Sequence, residues 1–177
     1  MAYAAWSVSF GEQPSAAKWN ILGTNDATFD ALIGSGTAWT SYTPTWTSTG
    51  GSPSLGNGTL TGRYQQFGKT VVARISLVWG STTSSAGASG WLFALPVNNS
   101  TNYSSIHYPI GSAYAENAAV LAYFGQARIL STQQNKCNVS MFGSATSYVD
   151  DGTLSATTPF TWATGDYLST TITYEAA

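Results

Sequence analysis

The stretch Thr70–Trp79, TVVARISLVW, decides the fold. Val71, Ala73, Ile75, Leu77 and Trp79 fall on one side of an extended chain, while Val72, Arg74, Ser76 and Val78 fall on the other. A period of two with one apolar side is the signature of a strand that covers a core with one face. Gly68-Lys69 just ahead of it is a tight hairpin connection, and Thr59–Phe67 before that turn is the strand it pairs with. Working outward, short alternating runs separated by Gly, Pro, Asn and Ser clusters recur along the chain, predicting further strands at Trp39–Trp46, Trp91–Leu95, Ile106–Ala113, Val120–Leu130, Lys136–Phe142, Phe160–Trp162 and Tyr167–Tyr174. This is the punctuation of a mainly β protein, an antiparallel β-sandwich of jelly-roll type.

Composition supports that reading. Ser and Thr make up about a quarter of the chain and Gly contributes 18 residues, a mix that favours strands and turns over long helices. Charged residues are only 8%, against roughly 25% in an ordinary soluble domain, so the polar surface must be built from neutral groups. The net charge of −2 leaves no broad basic patch, which disfavours nucleic acid and membrane surfaces as partners. A surface with so little charge also invites self-association. One cysteine, Cys137, excludes an internal disulfide, and with the single histidine, His107, it excludes a zinc site of several His and Cys ligands. The opening MAYAAWSVSF lacks a positive n-region and a long apolar core, and no run of eighteen apolar residues occurs, so synthesis in a cytoplasm without membrane insertion is expected.

Helical punctuation is confined to residues 11–36. Pro14 suits a first turn, Trp19 and Leu22 lie three apart, and Gly23 suits a C-terminal cap. Thr24, Asn25 or Asp26 can then cap a second short helix whose Phe29, Leu32 and Ile33 form an apolar stripe. Helices this short need burial elsewhere, so Trp19, Leu22, Phe29, Leu32 and Ile33, with Trp6 in the preceding arm, are candidates for docking or assembly. The chain divides accordingly into an N-terminal arm with short helices, residues 1–38, and a β domain, residues 39–177. The low-complexity run Ser81–Gly90 reads as a flexible loop tip.

Three segments together resemble virion appendage proteins of tailed bacteriophages, particularly tail-fibre and minor tail proteins of phages that infect actinobacteria. They are YTPTWTSTGGSPSLGNGTLTGRYQQFGKTVVARISLVWG from Tyr42, GWLFALPV from Gly90, and TPFTWATGDYLSTTITYEA from Thr158. The segment at residues 11–36 also looks like one that precedes such β domains. The resemblance implies a β-sandwich head in a virion, commonly trimeric, that contacts a host surface or decorates the particle. It offers no catalytic motif. The expectation is therefore a non-enzymatic short fibre or spike tip that attaches to a host-surface glycan, forms a homotrimer and meets other virion proteins through its N-terminal segment. The alternatives are a purely structural capsid or tail decoration protein and, behind it, a polysaccharide depolymerase.

At single residues the plainer reading wins. No Gly-x-Ser-x-Gly turn marks a nucleophile for His107, which reads as a hydrogen-bonded structural histidine. Asp150-Asp151-Gly152 reads as a turn; with Glu116 or Asp166 it is the nearest approach to a Ca²⁺ cradle, and no metal or cofactor is expected. Cys137 alternates with Val139 and Met141 as a small buried side chain. Gly58, Gly62 and Gly68 mark strand entries, crossings and exits, and Gly165-Asp166 a turn in which Asp166 bonds nearby amides. Seven Trp and ten Tyr exceed what the core requires, and rings beside amides and hydroxyls suit neutral sugars. The loop Asn98–Tyr108, with Asn98, Asn102, Tyr103, His107 and Tyr108, is the candidate ligand surface, joined by Tyr148, Asp150 and Asp151. The alternative is that these loops only solvate while the rings fill the core and a subunit interface.

Overall fold

The computed structural model describes residues 5, 7–33, 38–85, 88–118, 120–144 and 149–177. Helix α1 (Ala16–Ile33) is followed by strands β1 (Thr40–Tyr42), β2 (Trp46–Gly50), β3 (Thr59–Phe67), β4 (Thr70–Val78), β5 (Ser89–Ala94), β6 (Tyr108–Asn117), β7 (Leu121–Leu130), β8 (Gln133–Ser144), β9 (Val149–Thr153) and β10 (Tyr167–Glu175). A single 3₁₀ turn, Thr101–Ser104, precedes β6. The protein is thus mainly antiparallel β with one helical segment near its N-terminus, as the alternation predicts.

The two short helices expected at residues 11–36 are one. Ser15 is the cap, its Oγ accepting from the Lys18 amide at 3.3 Å. The chain then runs helically through Gly23, where an added side chain would meet open space. Thr24, a candidate cap for the second helix, instead donates back to the Asn20 carbonyl at 2.9 Å, and Thr28 donates likewise to the Thr24 carbonyl at 2.8 Å, within one continuous helix. Gly23 costs about 1 kcal/mol of helix propensity, too little to break the run. No helix among the described residues is long and apolar enough to cross a membrane.

All ten strands join in one sheet, in the order β1-β3-β4-β10-β6-β7-β8-β5-β2, with β9 beside β8. The two outermost strands of that order, β1 and β2, are separated by only Thr43-Pro44-Thr45. The sheet must therefore curl until its edges nearly meet, and one stretch of chain crosses the seam. The expected strand Trp39–Trp46 is split there by buried Pro44, which has no amide to donate to a ladder. Pairing resumes where the Ala94 amide donates to the Thr45 carbonyl at 3.0 Å. Closure leaves only short edges open, a protection against stray strand pairing.

Three other expectations are corrected. Residues 150–152, read as a turn, lie within β9, which pairs with the half of β8 that extends beyond β5; the backbone groups of that overhang need partners, and β9 supplies them. Phe160–Trp162 is not a strand but a loop folded onto the core, with the Trp162 indole donating to the Thr158 carbonyl at 3.4 Å. The run at residues 81–90 is not a free tip either. Asn57 Oδ1 accepts from the Thr82 amide at 2.8 Å, Ser54 and Ser84 bridge, and Thr83, Ser85 and Ala88 are buried.

The interior follows the pattern that opened the sequence. Val71, Ala73, Ile75 and Leu77 are almost wholly buried, and Trp46, Trp79, Trp91 and Trp162 gather with Phe93 and Phe160 into a ring cluster with centroids 4.7–6.4 Å apart. Cys137 is buried as expected, and burial pushes its thiol pKa up to about 12. Gly62 lets the Tyr42 ring close over β3, since a Cβ there would overlap that ring. At the β10 entry, Asp166 is buried and its carboxylate accepts from the Ala118 amide at 2.8 Å and the Ala163 amide at 2.6 Å, the role expected of it.

Candidate binding face

In β6 and β7 the alternation is kept but the sizes are reversed. At mid-strand the inward positions are Ala113, Ala115, Gly125 and Ala127, all buried, flanked by the larger inward residues Ile110, Tyr123 and Ile129, while Tyr114, Glu116 and Phe124 point outward. Gly125 can be nothing larger, because a Cβ there would overlap the Ser140 carbonyl oxygen. Small residues at mid-strand let the strands approach the core closely there, and the bulk that alternates with them lies on the solvent face.

Register gathers that bulk into a tier. Tyr114 stands opposite Phe124 on β7, Tyr167 on β10 stands opposite Glu116, and Val78 on β4 stands opposite Tyr167. Phe142 follows Met141, the β8 partner of Gly125, and so lies beside Phe124. The Tyr114 ring meets Phe124 edge-on at 5.4 Å and tilts against Tyr167 at 5.7 Å. Glu116 fixes both phenols: its Oε2 accepts from Tyr114 at 2.6 Å and from Tyr167 at 3.0 Å. The hydrogen bond its hydroxyl donates to the carboxylate, with the Tyr167 hydroxyl beside it, holds Tyr114 above the usual phenol range. Phe124 is 67% exposed, and Leu121, Phe142 and Val78 are exposed as well. Exposed apolar patches of this kind are the surfaces through which proteins generally meet other molecules. Ring faces held this way can stack on the C–H faces of a sugar or the side chains of a protein.

The residues singled out from sequence are placed differently. Asn102 Nδ2 donates to Glu175 at 3.2 Å, the Asn98 carbonyl accepts from the Ala177 amide at 3.0 Å, and Tyr103, half-buried, accepts from the Glu175 amide at 2.9 Å while meeting Tyr108 edge-on at 5.2 Å. His107 is exposed, and its Nδ1 accepts from the Ser131 amide at 3.1 Å. The loop therefore ties down the C-terminal strand and the β7–β8 turn. Asp150 and Asp151 lie on β9, opposite Gly143 and Phe142, whereas the loop lies at the end of β8 that begins with Gln133. The two halves of the expected surface thus sit at opposite ends of one strand. Tyr148 and Trp6 fall outside the described residues. On α1, Trp19, Leu22 and Phe29 are exposed and line one shallow depression with Asn25 and Asp26, and Leu32 and Ile33 belong to the last turn. Tyr114, Phe124, Phe142 and Tyr167 are not among the residues marked from sequence, and Glu116 is marked there only as a partner in a Ca²⁺ cradle. The signal that marks them is the inverted size order in AYAE and YFGQA. Among the described residues, no three His, Cys, Asp or Glu side chains gather as a metal ion would require.

No family model matches the chain, and no curated protein matches it in sequence. Among solved structures, the Dettilon tailspike protein is similar, with 17% identity, a TM-score of 0.49, and coverage of 78% of this chain and 23% of the tailspike chain. The chain thus spans about a quarter of that protein's length.

Proposed function

We propose that this chain is a non-enzymatic recognition module of a tailed-phage virion appendage, and that it attaches to a surface glycan through the outward face of β10, β6, β7 and β8. The observation that carries the proposal is the tier Tyr114, Phe124 and Tyr167, braced by Glu116. The three sequence segments that resemble phage appendage proteins supply the setting. Adhesion is favoured over cleavage because Glu116, Asp166, Glu175 and Glu12 are each engaged by neighbouring side chains or amides, and glycoside cleavage needs two carboxyls facing each other across a groove. The uncovered Trp19, Leu22 and Phe29 of α1 favour a docking role for residues 1–38, toward other virion proteins or two further copies. Several weak sites on one trimeric tip gain avidity through effective concentration.

A glycan array probed with the wild type, Y114A, F124A and the loop variant N102A tests the reading. The wild type and N102A are expected to bind, and the two ring variants to lose most of the signal. Clean non-binding by the wild type would favour a structural decoration role instead.

A further inference from the structure

Of six cationic side chains in the whole sequence, two stand directly opposite each other: Arg63 on β3 and Arg74 on β4. Both are exposed, and like charges placed opposite on a sheet repel. Among the described residues the ion pair is Lys18 with Glu12, far along the chain, and neither arginine has a carboxylate partner. The two guanidiniums are nonetheless held in place by one residue. Arg74 lies over the Trp39 ring, 4.8 Å from its centroid, and Arg63 Nη2 donates to the Trp39 carbonyl at 3.5 Å. Thir surroundings are hydroxyls: Thr61 and Ser76 pair beside them and line a groove with both arginines, Thr171 stands opposite Arg74 on β10, and Ser112 opposite Thr171 on β6. Two fixed guanidiniums with hydroxyls around them and no anion among the neighbours make a receptor for an oxyanion.

This receptor lies on the same outward face as the aromatic tier. Ser112 and Tyr114 alternate onto one side of β6, so Arg74 and Tyr114 are separated by two strand spacings and two residues, roughly 10 Å across and 7 Å along the sheet. We infer that the ligand is a glycan polymer carrying oxyanions, phosphodiester or carboxylate, whose anionic group sits between Arg63 and Arg74 while its sugar rings cover Tyr114 and Phe124. The inference rests on the glycan reading above and narrows it from neutral to anionic polymers.

Electrophoresis of the intact protein through gels containing neutral dextran, a polyuronate or a glycerol-phosphate polymer tests it. Retardation is expected in a gel with an anionic polymer, and which of the two retards identifies the anion. R63Q/R74Q is expected to weaken that retardation about tenfold and to remove its sensitivity to salt. K69Q/K136Q, which removes the same charge elsewhere, is expected to be retarded, relative to its own mobility in a polymer-free gel, as much as the wild type is, and all variants should melt alike. If R63Q/R74Q is retarded like the wild type while Y114A is not, the arginine site is wrong and the glycan reading stands. Retardation by duplex DNA equal to that by the anionic glycans overturns the ligand class, and a wild type retarded by no polymer overturns both proposals.

Discussion

Two groups of aromatic rings occupy opposite faces of one curled sheet. Inside, Trp46, Trp79, Trp91 and Trp162 pack with Phe93 and Phe160, Trp91 and Phe93 being fully buried. Outside, Tyr114, Phe124 and Tyr167 touch at similar separations but stand in solvent. The strands that carry them obey the same period of two. What differs is the size order: in β4 and β5 the large residues point inward, and at the middle of β6 and β7 alanine and glycine do. A ring removed from water on all sides contributes to stability through its area and its contacts. An exposed ring contributes little until another molecule covers it. The same residue type is thus structural on one face and available for binding on the other.

The largest break in that comparison comes from the inner group. Trp91 is fully buried against Trp46, Trp79 and Trp162, and its indole donates to the Ala88 carbonyl at 3.3 Å. Trp91→Ala is expected to cost about 3–5 kcal/mol, the range for a large aromatic removed from a packed core. For a chain of this size that lowers Tm by roughly 10 °C or more. A fall of only a few degrees would mean that the remaining indoles close the gap and that no single ring anchors the cluster.

The contrast also explains what could be read from the residues alone. The bounds of β3 match the expected Thr59–Phe67, and those of β4 match the expected Thr70–Trp79 to within one residue, because alternation and a Gly-Lys hairpin are local signals. The Asp166 turn and the burial of Cys137 follow from equally short patterns. The continuous helix through Gly23 was hidden because threonines that can cap can also bond back to the preceding turn. The seam at Pro44 and the strand β9 depend on which strand ends lie next to each other in space, which no window of sequence contains. The outer aromatic face is hidden in the sequence for a subtler reason. Tyr114 and Phe124 look like core residues by type, and only the small residues alternating with them reveal that they face out. Loop aromatics such as Tyr103 and Tyr108 drew attention instead, and they prove to be packed against each other.

A pH titration separates the two regions with a smaller effect. Burial raises the pKa of Cys137 from 9.0 to about 12 and holds Tyr42 and Tyr174 above the usual phenol range. These groups bind their protons more tightly in the folded state than in the unfolded one, so folding is favoured fully below pH 9 and that contribution is lost as pH rises toward the folded pKa values. Thermal melts from pH 8 to 11.5 should show Tm level at first and falling progressively above about pH 9. Cys137→Ala should start from a lower Tm and fall less between pH 9 and 10, where the thiol alone has begun to titrate. A wild-type Tm that stays flat to pH 11.5 would show that these groups reach solvent without unfolding.

The smallest effect on stability is expected where the effect on binding is largest. Phe124 is 67% exposed and meets only the edge of Tyr114 across the strand pair, a contact of the kind worth about 0.2–1 kcal/mol. The Tm of Phe124→Ser should therefore lie within a degree or two of the wild type, while retention by any glycan that the wild type binds is lost. If Phe124→Ser instead lowers Tm as far as Trp91→Ala does, the outer ring is covered in solution by another copy of the chain, and the face is an assembly contact and not a receptor.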